Sequence, residues 1–282
     1  MQFSIKTSPQ YTTWEDMLAV WTAADDIDVF VGAWNFDHFY PINVPDTTGP
    51  CMEAWVTLTA LAQATSRLRI GTMVNGIVYR HPAVLAKMAT TLDIVSGGRL
   101  DLGIGAGWNE EECDAYGIEL GTLTERFDRF EEACAVLHGL LTQETTDFDG
   151  TYFQLRQARN NPKPIQAPHP PICIGGQGPK RTLPLVARYA QHWNYPGRSG
   201  RHLAETLERL LGECEEIGRD PSEIHVSATV WMDAEMGPSA AADLAAQRID
   251  QGADEVLLYL APPHTPTILE PLADALVAIN QR

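Results

Sequence analysis

The sequence predicts an α/β fold, a (β/α)8 TIM barrel with insertions at the C-terminal face of its strands. The chain has 282 residues, and about eight strand-like segments alternate along it with about eight helix-like ones, which is typical of one such barrel. Several strand-like segments are continuous apolar runs, such as the "EVLLYL" of residues 255–260, and such runs favour parallel strands covered on both faces. A doubly wound open sheet is the structural alternative. Because no linker or low-complexity tract divides the chain, residues 1–282 are interpreted as a single domain.

The individual elements are predicted from local patterns. In residues 122–141, apolar side chains recur at spacings of three and four, and Thr122 followed by Glu125 predicts a capping box at the helix start. The "DIVSGGR" of residues 93–99 predicts a helix that ends at glycine just before the next strand. The predicted strands are residues 3–6, 29–33, 68–74, 100–105, 171–175, 192–195, 224–231 and 255–260.

Two stretches are too long to be simple connections. Residues 39–50 are rich in proline and threonine, and residues 143–170 contain a segment that reads as a hairpin turning at Asp149-Gly150. Barrel enzymes build their sites at the C-terminal face of the strands. We expect both stretches to emerge at that face.

The acidic composition narrows the range of partners. Lys and Arg number 20 against 37 Asp and Glu, a formal net charge of −17. Nucleic acid and anionic membranes would be repelled by most of such a surface. A small anionic cofactor is still compatible, because backbone N–H groups can hold a phosphate locally. The expected partner is therefore a small molecule.

The sequence also predicts a cytoplasmic location. No apolar stretch reaches the roughly 18 residues needed to span a bilayer, and residues 1–20 lack a basic region followed by an apolar block, so no signal peptide is predicted. The five cysteines are scattered and form no C-x-x-C motif. That pattern favours reduced thiols over a disulfide framework.

The sequence contains no motif typical of a metal site or of a serine nucleophile. The eight histidines include no pair at a spacing of three or four residues and no H-E-x-x-H. A G-x-S-x-G motif and a Walker loop are also absent. No metal site is predicted.

Two glycine-rich segments follow predicted strands. Gly103, Gly105 and Gly107 do not have dinucleotide-binding spacing, so they are interpreted as letting something flat approach the backbone. Residues 174–181, "IGGQGPKR", combine a strand end, a proline near a first helical turn and two cations. Free N–H groups at such a helix start predict an anion site. The alternative is a helix start with solvated cations.

An acid and an imidazole stand side by side in "AWNFDHFYP", residues 33–41. Asp37 and His38 follow a predicted strand, so they are expected at the mouth of the barrel. They could be a catalytic pair, a cofactor grip or two polar residues that close a turn. Metal ligation is disfavoured, because neighbours in an extended segment rarely point at one ion.

These segments resemble the luciferase-like flavin and deazaflavin oxidoreductases, a family of (β/α)8 barrels. The matching stretches cover most of residues 1–195 in the expected order. Within the family, the sequence is most similar to the branch that uses coenzyme F420, a 5-deazaflavin, and the resemblance suggests a homodimer. The stretches are "WNFDHF", "RLRIGTMVNGIVYRHPAVLAKMATTLDIVSGGRLDLGIGAGWNEEE", "ERFDRFEE" and "ICIGGQGPKRTLPLVARYAQHWN".

The resemblance implies roles for the matching residues. Asp37 and His38 match a pair beside the flavin-like ring. Thr72, Met73 and Val74 match a strand whose bulge, with a cis peptide bond expected at Met73–Val74, supports the back face of the ring.

Two further segments match cofactor contacts of the family. Gly107 and Trp108 match the segment that borders the ring, although some F420-dependent sugar-phosphate dehydrogenases have a glutamate where this chain has Trp108-Asn109. That departure weakens any transfer of sugar-phosphate specificity. A phosphate-binding turn after the fifth strand is matched by Gly175, Gly176 and Gly178, with Lys180 or Arg181.

Three function classes follow from the resemblance. The favoured one is an oxidoreductase that uses coenzyme F420 to transfer a hydride to or from a small organic substrate. His38 would then donate or accept the accompanying proton, because an imidazole can do so near neutral pH, and Asp37 would orient His38 or bond the edge of the ring. The alternatives are an FMN-dependent monooxygenase and a flavin- or deazaflavin-binding protein without turnover.

Overall fold

Eight parallel strands close into a barrel in the computed structural model, which describes residues 1–198, 202–233 and 235–280. Each strand pairs with the next along the chain, and the last pairs with the first, so the ring has no edge. The predicted (β/α)8 barrel is confirmed, and the open-sheet alternative is wrong. The strands are β1 (Gln2–Thr7), β2 (Phe30–Asn35), β3 (Arg69–Thr72), β4 (Leu100–Gly105), β5 (Ile172–Gly175), β6 (His192–Tyr195), β7 (His225–Trp231) and β8 (Glu255–Leu260).

Helices cover the outside of the barrel. Thr122 caps the longest of them through its side chain, and Glu125 completes the predicted capping box. His81 caps another that starts at Pro82 and ends before Gly97, whose φ of +70° reverses the chain direction toward β4. In the described ranges, the α-helices are α1 (Trp14–Asp25), α2 (Ala54–Ala64), α3 (Pro82–Val95), α4 (Glu110–Tyr116), α5 (Leu123–Thr142), α6 (Thr182–Tyr189), α7 (Leu203–Ile217), α8 (Pro238–Asp250) and α9 (Leu269–Asn280).

The apolar core lies between the strands and the helices. In β1, Phe3 and Ile5 point outward and are fully buried against the helix layer, which includes Met17 and Trp21 of α1. The alternate residues of the strand, such as Lys6, point into the barrel because side chains alternate along a strand. The polar lining of the barrel therefore comes from the same strands that build the core.

The two insertions lie at different ends of the barrel. Residues 39–50 follow β2 and so emerge at the C-terminal face, as expected. Residues 143–170 depart from the expectation, because they connect the end of α5 to the start of β5 and so begin and end at the N-terminal face. The predicted hairpin is present, with strands Thr146–Asp149 and Gln154–Ala158. It runs along the outside of α5, where the Glu132 carboxylate accepts hydrogen bonds from three N–H groups of its turn.

All five cysteines are free, in agreement with the prediction of unpaired thiols. Among the residues described, no helix combines the length and the apolar character needed to cross a membrane.

Candidate active site

A cavity of about 370 Å3 opens at the C-terminal face of the barrel. Five residues singled out in the sequence line one of its walls: His38, Met73, Val74, Gly107 and Trp108. The opposite wall is formed by residues from β1, β7 and β8 and from the segment after β6. Lys6, Trp231, Tyr259 and Arg198 lie there.

The bulge after β3 forms the base of the first wall. The peptide bond between Met73 and Val74 is cis, as predicted. The neighbouring strand accommodates this bulge only because it carries glycines: a Cβ on Gly103 would lie 1.8 Å from the Thr72 carbonyl oxygen, and one on Gly105 would lie 2.8 Å from Val74 Cγ2. Gly103 and Gly105 therefore allow the close approach of the chain's own bulge.

Thr72 supports the bulge from below. The side-chain amide of Asn75 donates to Thr72 Oγ1 at 2.5 Å and to the Gly103 carbonyl at 2.6 Å. The indole of Trp55 donates in turn to Asn75 Oδ1 at 2.5 Å. Thr72 is buried and does not line the cavity. It therefore lies behind the cavity wall.

His38 is held by a carboxylate from a distant part of the chain. Its Nδ1 lies 2.5 Å from Oε1 of Glu112, in the first turn of α4. The rings of Phe36 and Trp108 pack edge-on against the imidazole, with centroids 5.2 and 5.4 Å away. The other ring nitrogen, Nε2, has no partner among the described residues, and His38 lines the cavity.

Glu112 is fully buried and accepts several hydrogen bonds. The hydroxyl of Tyr79 donates to Oε1, and the backbone N–H of Phe39 donates to Oε2 at 2.7 Å. Burial raises the pKa of the Glu112 carboxyl, but the bonds from His38, Tyr79 and Phe39 outweigh it and leave the pKa below its ordinary value. The group is therefore a carboxylate that can only accept, so His38 donates to it from Nδ1.

Asp37 points away from the imidazole. Arg80 binds its carboxylate through two nitrogens, at 2.5 and 3.1 Å, and also contacts Glu53 at 2.6 Å. Burial raises the pKa of Asp37, and the Arg80 guanidinium opposes that rise. The contact that orients His38 therefore comes from Glu112, whereas Asp37 ties the loop after β2 to the start of α3.

Sequence reasoning missed Glu112 because it is one of three consecutive glutamates. Glu110 and Glu111 are exposed, whereas Glu112 faces the barrel. Only the start of α4 determines which of the three faces inward. The usable signal was the position of the run, which lies in the segment after β4, at the C-terminal face, and immediately precedes Cys113.

The glycine-rich turn after β5 lies next to the bulge. A Cβ on Gly175 would be 3.1 Å from Val74 Cγ1, and the Trp193 indole donates to the Gly176 carbonyl at 2.7 Å. α6 starts at Thr182, later than predicted: the Thr182 N–H bonds the Gly178 carbonyl as in a helical turn, but the Leu183 N–H bonds that same carbonyl and not the carbonyl of Pro179. Those two N–H groups are therefore already used.

The two cations of this turn have different surroundings. The Arg181 guanidinium lies 2.5 Å from Asp128 and 3.9 Å from Glu131, so acidic residues of α5 already compensate its charge. Lys180 is exposed. Of the two, Lys180 is the cation that remains available to an anion in solution.

A second cavity, of about 310 Å3, lies at the N-terminal end of the barrel. There β6, β7 and β8 bring together His192, His225 and Glu255, with nitrogen and oxygen atoms within 4.8 Å of one another. Spacing along the chain could not reveal this candidate ligand set, because each member comes from a different strand. His225 Nε2 lies 2.9 Å from Glu255, and His192 Nε2 lies 2.7 Å from Ser227 Oγ. Each member thus already has a protein partner.

Comparison with known proteins identifies the family. The sequence model that describes the luciferase-like monooxygenase family matches residues 1–270. The chain therefore belongs to that family, in agreement with its barrel and with the bulge beside the cavity.

The curated relatives whose names state an activity include a dehydrogenase and a monooxygenase. The F420-dependent hydroxymycolic acid dehydrogenase of Mycobacterium tuberculosis is 32% identical over 217 residues, which cover 77% of this chain and 58% of that protein. The pyrimidine monooxygenase RutA of Agrobacterium fabrum is 31% identical over 175 residues, which cover 60% of this chain and 47% of that protein. The matched region is thus about half the length of these relatives.

Solved structures share the fold. An F420-dependent secondary alcohol dehydrogenase, solved with an F420–acetone adduct, superposes with a TM-score of 0.87 at 20% sequence identity. The match covers 99% of this chain and 98% of that one. At this identity, the likeness shows the barrel architecture alone.

Proposed function

We propose that the chain is an F420-dependent oxidoreductase that transfers a hydride to or from a small organic substrate. The observation that carries the proposal is the meeting, in one cavity, of the bulge at Met73–Val74, the Gly107–Trp108 segment and an imidazole oriented by Glu112. When bound, coenzyme F420 supplies a ring carbon that accepts or releases a hydride. The chain's own residues then bind the ring, exclude water and move a proton.

The residues present fit the faces of a flat aromatic ring. Met73 and Val74 offer an apolar surface at the base of the wall, and Gly107 presents backbone without a side chain beside it. For the charged end of the cofactor, we propose the turn of Gly175, Gly176 and Gly178 as the binding segment, with Lys180 as its cation.

His38 is the group that we propose moves the proton. Because Nδ1–H is donated to Glu112, a neutral imidazole presents its lone pair at Nε2. When an alcohol loses a hydride from carbon, its hydroxyl must lose a proton, and Nε2 can accept that proton. In the reverse direction, Nε2–H returns it. For Asp37 we propose a positioning role, through the contact of its loop with Arg80.

Support for the cofactor comes from named relatives. The hydroxymycolic acid dehydrogenase and a glucose-6-phosphate dehydrogenase of Amycolatopsis mediterranei, 34% identical over 168 residues, are both described as F420-dependent. RutA, described as a monooxygenase, has nearly the same sequence identity, 31%. An FMN-dependent monooxygenase is therefore the second candidate. A protein that binds a flavin or deazaflavin without turnover is the third.

A substrate panel tests the proposed function. The purified chain, incubated without oxygen with oxidised or reduced F420 and a panel of alcohols, ketones and unsaturated acids, is expected to change the redox state of F420 with at least one compound. His38→Ala should lower kcat by about a hundredfold or more and change F420 affinity much less. Oxygen consumption with reduced FMN and no reaction with F420 would favour the monooxygenase. Binding without any redox change would favour the third candidate.

We also propose that the chain forms a homodimer through an apolar groove between α2 and α3. The groove is lined by residues of both helices, including Trp55, Val56 and Met88, and Val56 is 72% exposed. A contiguous exposed apolar surface of this kind is typical of protein–protein contacts. A second copy of the chain offers the same surface in return.

A further inference from the structure

One wall of the active-site cavity carries a buried positive charge that no carboxylate of the described residues pairs with. Lys6, near the end of β1, lines the cavity and is only 6% exposed. Within the described ranges, its ammonium group makes no hydrogen bond or ion pair with the protein. A buried ammonium without a partner is costly, so this group indicates a ligand.

Aromatic rings surround that ammonium group. Lys6, Tyr259 and Trp231 are register partners on the adjoining strands β1, β8 and β7, so they form one row across the wall. The Lys6 ammonium lies 5.3 Å from the Trp231 ring centroid and 5.7 Å from that of Tyr259. The rings are anchored: the Trp231 indole donates to the Pro196 carbonyl at 2.6 Å, and the Tyr259 hydroxyl lies 3.0 Å from Ser8 Oγ.

A second cation strengthens the positive charge of this wall. The Arg198 guanidinium lies 3.6 Å from the centroid of the Trp231 ring. Burial, followed by repulsion from Arg198, lowers the pKa of Lys6 to about 8. The lysine is therefore still mostly charged at neutral pH.

The carboxylates inside the barrel do not compensate this charge. Asp101 is bound by Arg69 at 2.9 and 2.5 Å. Glu255 is bound by His225 at 2.9 Å. Both lie at the N-terminal cavity, whereas Lys6 lies at the active-site cavity. In a chain with a net charge of −17, two cations at the mouth of the barrel that form no ion pair with a carboxylate of the described residues indicate a specific anion.

We propose that this wall binds an oxyanion, a carboxylate or phosphate, carried by the substrate. Lys6 and Arg198 would bind the oxyanion, and the rings of Trp231 and Tyr259 would pack against the apolar body of the same molecule. The residues proposed to hold the cofactor lie on the opposite wall, after β2, β3, β4 and β5. The reacting carbon of the substrate therefore lies between the two walls, within reach of His38. This inference rests on the proposed function in that it names the substrate class of the same site.

Matched probes test the charge preference. Benzoate and phenyl phosphate carry the two oxyanions, and benzamide is a neutral molecule of nearly the same shape as benzoate. In calorimetric titrations of the purified chain, at least one of the anions should bind about tenfold or more tightly than benzamide, and the tighter of the two identifies the oxyanion. If neither anion binds more tightly than benzamide, the proposal is overturned.

Variants assign the preference to Lys6. Lys6→Met should remove most of the preference for the anion and leave benzamide binding unchanged, whereas Lys6→Arg should retain the preference. Arg156→Met removes a positive charge from an exposed position of the hairpin, outside the barrel, and should change neither. Thermal unfolding checks that Lys6→Met is folded. An unchanged preference in folded Lys6→Met would overturn the assignment.

Separate F420 titrations distinguish this proposal from the proposed function. If F420 does not bind but the preference for the anion depends on Lys6, the proposed function fails and the oxyanion site stands. If Lys6→Met weakens F420 binding as much as anion binding, Lys6 belongs to the cofactor site and the oxyanion proposal is overturned.

Discussion

At the scale of single residues, the carboxylate of Glu112 joins parts of the site that are far apart in sequence. It accepts hydrogen bonds from the imidazole of His38, the hydroxyl of Tyr79 and the backbone N–H of Phe39. Because it is fully buried, no water can replace a donor that turns away. The orientation of the imidazole therefore depends on the charge of this one group.

The Glu112→Gln variant tests that dependence. The amide keeps the shape of the side chain but loses the charge and brings an NH2 donor, so it can no longer accept from all of these donors. We expect kcat of F420-linked turnover to fall about a hundredfold or more, with a change in F420 affinity of less than about threefold. Glu111→Gln, an exposed neighbour that accepts a hydrogen bond from Thr47 on the loop after β2, is the control. Equal losses of kcat and affinity in Glu112→Gln would contradict the assignment.

Residue roles were predictable to different degrees. His38 stood out through its place after a strand and its adjacent acid, and it lies in the cavity. The partner assigned to it did not follow from adjacency, because neighbours in an extended segment point in opposite directions. Asp37 thus faces Arg80, and Glu112 reaches His38 from 74 residues away along the chain. A contact across that separation is determined by the closure of the barrel, which a local pattern does not contain.

At the scale of elements, the bulge after β3 depends on glycines in β4. Gly103 faces the Thr72 carbonyl so closely that a methyl group would meet backbone, which cannot move aside as a flexible side chain can. The bulge and the neighbouring strand are therefore one structural unit.

Gly103→Ala should destabilise the protein by about 3 kcal/mol or more, because the clash forces the two strands apart. The matched control is Gly212→Ala in α7, where a Cβ meets nothing within 4 Å and a helical alanine should stabilise by about 0.5–1 kcal/mol. Chemical denaturation of both variants measures the difference. A Gly103→Ala protein as stable as the wild type would show that the bulge does not need the glycine.

The turn between β5 and α6 provides a second element-scale prediction. Because Asp128 and Glu131 already compensate Arg181, Lys180→Ala should weaken F420 binding severalfold, and Arg181→Ala should weaken it less. F420 fluorescence titrations compare the two variants. A larger loss in Arg181→Ala would mean that its guanidinium leaves the carboxylates of α5 to meet the cofactor.

Element types and order were largely predictable, because apolar runs, caps and glycines are local signals. The capping box of α5 and the hairpin at Asp149-Gly150 illustrate this. The end of the barrel at which residues 143–170 emerge was not predicted correctly. It follows from whether a helix or a strand precedes the segment. The start of α6 at Thr182 was also not predictable, because it depends on the Leu183 N–H bonding the Gly178 carbonyl and not the carbonyl of Pro179.

At the scale of the whole molecule, closing the barrel brings the last third of the chain to the cavity. The sequence indicated no site residue beyond Tyr195. Yet Trp231 and Tyr259 stand beside Lys6, because β8 pairs with β1. The cavity wall that carries Lys6 is thus formed by closure of the barrel, and no single segment of the sequence contains it.

Assembly is the second property at this scale. Val56→Glu places a charge in the apolar groove between α2 and α3 and should convert a dimer into a monomer of 31.1 kDa. Val277→Glu, at a position of α9 that is 42% exposed and outside the groove, should leave the dimer intact. Light scattering gives the two masses. A wild-type chain that is monomeric at micromolar concentration, or a dimeric Val56→Glu protein, would contradict the proposed interface.

We propose that the cavity at the C-terminal face of the barrel binds a deazaflavin for hydride transfer. The most direct test is a parallel fluorescence titration of the purified chain with F420 and with FMN. We predict saturable quenching of F420 fluorescence at a lower concentration of protein than is needed for FMN. Clear binding of FMN, with none of F420, would contradict the claim.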